Sequence, residues 1–101
     1  PWRLDGRVAL VTGASRGIGY SVASELRSLG AEVYLVARDP AGVSDAASRL
    51  GATGIAADVS DPESRAALLE SIPKPLDILV NNAGTNIRKK IQDYSAEDYN
   101  K

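Results

Sequence analysis

The sequence contains no cysteine, no histidine and no methionine. Without cysteine there are no disulfides and no thiol chemistry. Without histidine the chain lacks the commonest general base and the commonest metal ligand. Cys/His zinc sites and Ser-His-Asp triads are therefore excluded, and no metal site is expected. No apolar run approaches the ~18 residues of a membrane span. The opening Pro1-Trp2-Arg3-Leu4-Asp5-Gly6 has no apolar leader core. Twelve basic residues stand against 13 acidic ones, a net charge of −1 with no basic footprint for nucleic acid. The expected location is the cytoplasm, with neither nucleic acid nor membrane as a partner.

What is present is ordinary globular composition, 44% hydrophobic and 25% charged over 101 residues. That length allows one domain. The absent start Met, and an end at Lys101 just inside an apparent helix start, give the expectation of a segment of something longer.

Two patterns alternate along the chain. Arg7–Thr12, Glu32–Ala37 and Leu76–Asn81 are short apolar runs, and Thr53–Ala57 is a weaker one. Continuous Val- and Ile-rich runs suit strands covered on both faces of a parallel sheet. Between them, Ile18, Val22, Leu26 and Leu29 predict one apolar helical stripe, stopped by Gly30. Val43, Ala46, Ala47 and Leu50 predict a second helix, with Asp39-Pro40 as cap and first turn and Gly51 as stop. Asp61-Pro62-Glu63 opens a third helix, running to about Ile72, and Ser95-Ala96-Glu97-Asp98 resembles a capping box opening a fourth. This order predicts a doubly wound parallel α/β sheet of Rossmann type with strand order 3-2-1-4. The fourth strand would have an open edge, an aggregation hazard unless something beyond Lys101 covers it.

Thr12-Gly13-Ala14-Ser15-Arg16-Gly17-Ile18-Gly19 joins the first strand to the first helix. Its glycine spacing is G-x-x-x-G-x-G, neither the usual dinucleotide fingerprint nor a P-loop. The physics is shared: glycine lets the backbone approach a pyrophosphate, and the free N–H groups of the helix start stabilise the anion. A glycine-rich turn without a ligand has the same composition.

These residues resemble the cofactor loop of the short-chain dehydrogenases/reductases. Asn81-Asn82-Ala83-Gly84 resembles that family's second signature, and Asp58-Val59 its adenine-contacting pair. The stretch 82–89 is most similar to the tropinone-reductase-like branch, and the loop at 12–19 equally to ketoacyl-carrier-protein reductases. The resemblance covers the whole chain but only the N-terminal part of the family's domain. It implies a cofactor site built from Gly13, Ser15, Arg16, Gly17, Ile18, Gly19, Arg38, Asp58, Val59, Asn82, Ala83 and Gly84. It also implies hydride transfer between nicotinamide and a small carbonyl or alcohol substrate, in a dimer or tetramer built on later helices.

The cofactor is expected to be NADP(H). An NAD site places an acid at the end of the second strand, where this chain has Ala37 followed by Arg38. A guanidinium there can bond a 2′-phosphate in forked geometry, and Arg16 can meet it from the other side. Asp39 argues the other way unless it caps the Pro40 helix. Solvated surface charge is the alternative for both arginines; Arg88-Lys89-Lys90 reads as a solvated face, with contact to an acidic substrate as its alternative. Asp58 is equally suited to a turn before Ser60-Asp61-Pro62. Asn81 is expected as a buried amide tying backbone segments together. Trp2 and Leu4 are expected to dock the N-terminus, and Tyr20, Tyr34, Tyr94 and Tyr99 to pack or lie on the surface.

The family's acid/base Tyr and Lys come as Tyr-x-x-x-Lys, with a Ser orienting the substrate. No tyrosine here has a lysine four residues on, so no catalytic residue is assigned. Two readings follow: the cofactor half of an NADP-dependent reductase, inactive by itself, or a stand-alone nucleotide-binding module. An intact mass near 10.6 kDa in the source would favour the module.

Overall fold

The computed structural model describes residues 3–82. Their order is β1 (Val8–Thr12), α1 (Gly17–Ser28), β2 (Glu32–Ala37), α2 (Pro40–Leu50), β3 (Thr53–Ala56), α3 (Pro62–Ser71) and β4 (Ile78–Asn81). The strands form one parallel sheet in the order β3-β2-β1-β4, as the alternation of patterns predicts. Trp2, the basic run at 88–90, Tyr94, Tyr99 and the capping box at 95–98 lie outside the described residues.

Alternation within β1 and β2 divides the core. Ala9, Val11, Val33 and Leu35 face one side with Ala23 of α1 and Val43, Ala46 and Ala47 of α2. Val8, Leu10, Tyr34 and Val36 face the other, covered by Val59 and by Leu68 and Ile72 of α3. Every residue of β1 is buried, whereas β4 is half-buried and β3 mostly exposed. The central strands thus read as apolar on both faces because both faces are covered. Leu4 docks as expected: its N–H donates to Leu29 O at 2.7 Å and its side chain packs against the first cluster. Tyr34 is buried and Tyr20 partly so.

Two expectations need correction. The apolar stripe on α1 was expected along Ile18, Val22, Leu26 and Leu29. Val22, Leu26 and Leu29 are half-buried, Leu26 against the first cluster, but the fully buried positions are Gly19 and Ala23, and Ile18 is 74% exposed. Gly19 lies against the loop after β1 and Ala23 against the core, and Ile18 turns outward. The fourth strand was expected from Leu76 but begins at Ile78. Asp77 takes the ladder position with its side chain: its N–H donates to Val8 O at 2.9 Å, and its Oδ2 accepts from Val8 N at 2.8 Å.

Both Asp-Pro helix starts form as read. Asp39 accepts from Gly42 N at 3.1 Å, and Asp61 accepts from Ser64 N at 2.9 Å. Gly51 closes α2 in the left-handed region at φ 68°, where a side chain would be strained.

Candidate functional site

Strand order places the reversal of chain direction across the sheet between β1 and β4. In open α/β sheets the crevice beyond the carboxyl ends at such a point is where ligands bind. The loop after β1, Arg38 after β2, Asp58 after β3 and Asn82 after β4 all follow strand C-termini, so the topology brings them to that edge.

Thr12 sets the height of the loop. It is fully buried, and its hydroxyl accepts from Asn82 N at 3.1 Å. The single hydroxyl proton has two acceptors in reach, Asn81 Oδ1 at 3.2 Å and Val80 O at 3.4 Å. Asn82 Nδ2 in turn donates to Gly13 O at 3.2 Å. On the other flank, Ala14 N donates to Val36 O at 3.4 Å. The loop is therefore tied to both neighbouring strands. Sequence reading gave Thr12 no such role; its signal is a lone hydroxyl ending a wholly apolar strand. Asn81 is exposed, not buried as expected: it ends β4, which is an edge strand among the described residues.

The glycines then do separate jobs. Gly13 and Gly17 turn the chain with φ of 61° and 68°. Gly19 permits contact: a Cβ there would lie 2.5 Å from Gly13 O, 2.9 Å from Asn82 Nδ2 and 3.0 Å from Ala14 Cα. A Cβ on Gly17 would meet nothing within 4 Å, so the space over the helix start is open.

That start is electrostatically bare. Arg16 occupies the N-cap position in extended conformation, its side chain makes no capping bond, and the first turn holds no acid. Unbonded N–H groups and the helix dipole leave partial positive charge facing the open space. Ser15 is half-buried, and Arg16, Gly17 and Ile18 are exposed. Neither Arg16 nor Arg38 makes a hydrogen bond or ion pair with another described residue.

Asp58 has local partners. Its Oδ1 accepts from Ser60 Oγ at 2.6 Å and Ser60 N at 3.0 Å, and its own N–H donates to Ser64 Oγ at 2.9 Å. Those Ser60 bonds hold its carboxyl below the usual carboxylate range, opposed by desolvation and assisted by the Arg38 charge. The turn alternative for Asp58 is thus realised, with Oδ2 making no hydrogen bond among the described residues. Val59 beside it is core: its side chain is buried, and its carbonyl accepts from Arg65 Nη1 at 3.0 Å. Ala83 and Gly84 lie outside the described residues.

The described residues can thus receive a phosphate-bearing nucleotide: backbone donors at the start of α1, cations on the flanks, and glycines where close approach is needed. No helix among the described residues is long and apolar enough to cross a membrane.

Comparison with known proteins agrees with this geometry. The family model described as short chain dehydrogenase matches residues 7–101. A tropinone reductase homolog from Datura stramonium is 40% identical over 107 residues, covering 97% of this chain and 40% of that protein. The rhamnolipids biosynthesis 3-oxoacyl-[acyl-carrier-protein] reductase of Pseudomonas aeruginosa is 42% identical over 105 residues, covering 97% of this chain and 41% of that protein. Among solved structures, the Pseudomonas aeruginosa RhlG/NADP active-site complex superposes with a TM-score of 0.76 at 45% identity, covering 83% of this chain and 37% of that one. The chain spans about two fifths of the length of the curated relatives it matches. With its parallel sheet, its glycine loop and this match over nearly its whole length, the chain belongs to the short-chain dehydrogenase family.

Proposed function

We propose that this chain is the N-terminal, NADP(H)-binding part of a single Rossmann domain. The parent protein is then an oxidoreductase moving a hydride between the cofactor and a small carbonyl or alcohol substrate. The observation that carries the reading is the acid-free, uncapped start of α1 above a loop braced to β2 and β4. It is supported by the similarity to the Pseudomonas aeruginosa RhlG/NADP active-site complex.

Each residue has a stated task in this reading. Gly13, Ser15, Gly17 and the first N–H groups of α1 hold the pyrophosphate, and Gly19 lets the loop lie against its own helix. Exposed Ile18 covers an apolar part of the cofactor. Arg16 and Arg38 bond the 2′-phosphate, with Ala37 offering no carboxylate to repel it. Asp58 accepts from the adenine amino group through Oδ2, and Val59 fixes the loop beneath it. Asn82, Ala83 and Gly84 line the ribose and nicotinamide side. The bound cofactor supplies the hydride. No tyrosine here has a lysine four residues on, so in this reading the acid/base Tyr, its Lys and the orienting Ser come from the rest of the parent protein, and this segment binds and orients without catalysing. The cytoplasm and a homo-oligomeric parent are part of the same proposal.

Calorimetric titration of the full-length protein with NADP+ and NAD+ tests the choice of cofactor. NADP+ should bind more tightly, and Arg38→Ala should weaken it by about tenfold or more while leaving NAD+ alone. Equal or better affinity for NAD+, unaffected by Arg38→Ala, would contradict it.

A further inference from the structure

β1 and β4 pair in parallel, with Ala9 opposite Ile78, Leu10 opposite Leu79, Val11 opposite Val80 and Thr12 opposite Asn81. Apolar patterning does little to fix that alignment. Ile78, Leu79 and Val80 are all half-buried, Ile78 and Val80 against one core cluster and Leu79 against the other. A slip by one residue would turn each side chain to the opposite face and meet an apolar surface there, so burial alone penalises the slip weakly. Polar side chains hold the two ends of the pair instead. At the carboxyl end, Thr12 Oγ1 accepts from Asn82 N at 3.1 Å. At the amino end, Asp77 meets Val8 twice: its N–H donates to Val8 O at 2.9 Å, and its Oδ2 accepts from Val8 N at 2.8 Å. Val8 is buried, so its N–H would be costly to leave without that acceptor. Arg7 Nη1 also lies 3.6 Å from Asp77 Oδ1, a long and solvent-exposed pair of little consequence.

We propose that Asp77 is a positioning residue for the nucleotide site: by fixing how far β4 runs along β1, it sets where Asn82 meets the glycine loop. Asn82 Nδ2 donates to Gly13 O at 3.2 Å. Asn82 lies roughly 16 Å from Asp77 along the extended strand, at ~3.3 Å per residue. Asp77 therefore acts from the opposite end of the sheet and touches neither the loop nor the cofactor. The proposal rests on the NADP(H) reading above and extends it to a residue outside the crevice.

The test is calorimetry with NADP+ on the full-length protein, paired with denaturant unfolding of each variant. Asp77→Ala should weaken NADP+ binding by about tenfold, the size of one positioning hydrogen bond. Asp77→Asn keeps a carbonyl oxygen for Val8 N and should bind within about twofold of wild type. Arg7→Ala removes only the exposed ion pair and should leave affinity unaltered. In an Asn82→Ala background there is no brace to place, so Asp77→Ala should change affinity no further. If Asp77→Ala does not fold, Asp77→Glu takes its place, since it keeps the charge and moves the acceptor outward by one methylene. Stability lost with affinity intact would make Asp77 a residue of the fold alone and overturn the proposal. So would Asp77→Asn binding as weakly as Asp77→Ala, or an effect of Asp77→Ala that persists in full without Asn82. Each of those results leaves the cofactor reading standing, whereas a wild-type protein without affinity for NADP+ overturns both.

Discussion

Among the described residues three helices start at the same edge of the sheet, and two of them start alike. Both α2 and α3 begin with an aspartate whose carboxylate accepts from an N–H of the first turn, followed by proline. That is the arrangement local stability favours: one orphan donor satisfied, the dipole met by negative charge, and φ preset by the ring. In α1 each element is replaced. An arginine without a capping bond stands at the N-cap, and a glycine follows where the other two have proline. The difference teaches where local stability was forgone. An aspartate cap in α1 would fill the place of an anion with the protein's own carboxylate. On the proposed reading, the two capped helices are what the same edge looks like where no anion is to be bound.

The contrast can be broken from either side. The largest effect is expected from Gly19→Ala. Its methyl would sit 2.5 Å from Gly13 O, a backbone atom held by Asn82 Nδ2 at 3.2 Å. The loop must move or the helix must lift, at a cost of about 1–3 kcal/mol. Nucleotide binding should fall by about a hundredfold or more, the effect of misplacing positioned groups by an ångström. Chemical denaturation and calorimetry on the same variant read both changes. A smaller effect is expected from Asp61→Ala, which removes the cap of α3 and its bond to Ser64 N. Stability should drop by about 1 kcal/mol, with nucleotide affinity unaltered. A variant that lost affinity in proportion to stability would erase the distinction between the two kinds of helix start.

The contrast also marks how much the sequence could reveal. Alternating strand and helix patterns were enough for the parallel sheet and its order, because connection handedness leaves few alternatives. Caps at Asp39 and Asp61 were legible because an Asp-Pro pair has few other uses ahead of a helical stripe. The face of α1 was legible only in part. Periodicity weights large side chains: Leu26 of the stripe does pack on the core, but Gly19 lies against the glycine loop and Ile18 is left outside. Asp77 was read as strand interior, since an apolar run does not say whether a ladder bond comes from main chain or side chain. The glycine loop was legible as a loop; its brace through Thr12 and Asn82 depends on contacts 70 residues apart. Asp58 was poised between a turn and a ligand contact. Its bonds to Ser60 engage Oδ1 and leave Oδ2 without a hydrogen bond among the described residues.

The most direct measurement of the central claim makes α1 start as its neighbours do. Arg16→Asp places a capping carboxylate at the N-cap position, which already has extended backbone at φ −163° and ψ 173°. The variant should gain about 0.5–1 kcal/mol in denaturant unfolding. In the same preparation it should lose nearly all affinity for NADP+ by calorimetry, through the lost cation and the carboxylate now facing the pyrophosphate. Affinity retained within about twofold would mean that no phosphate sits at the start of α1, and the account would fail there.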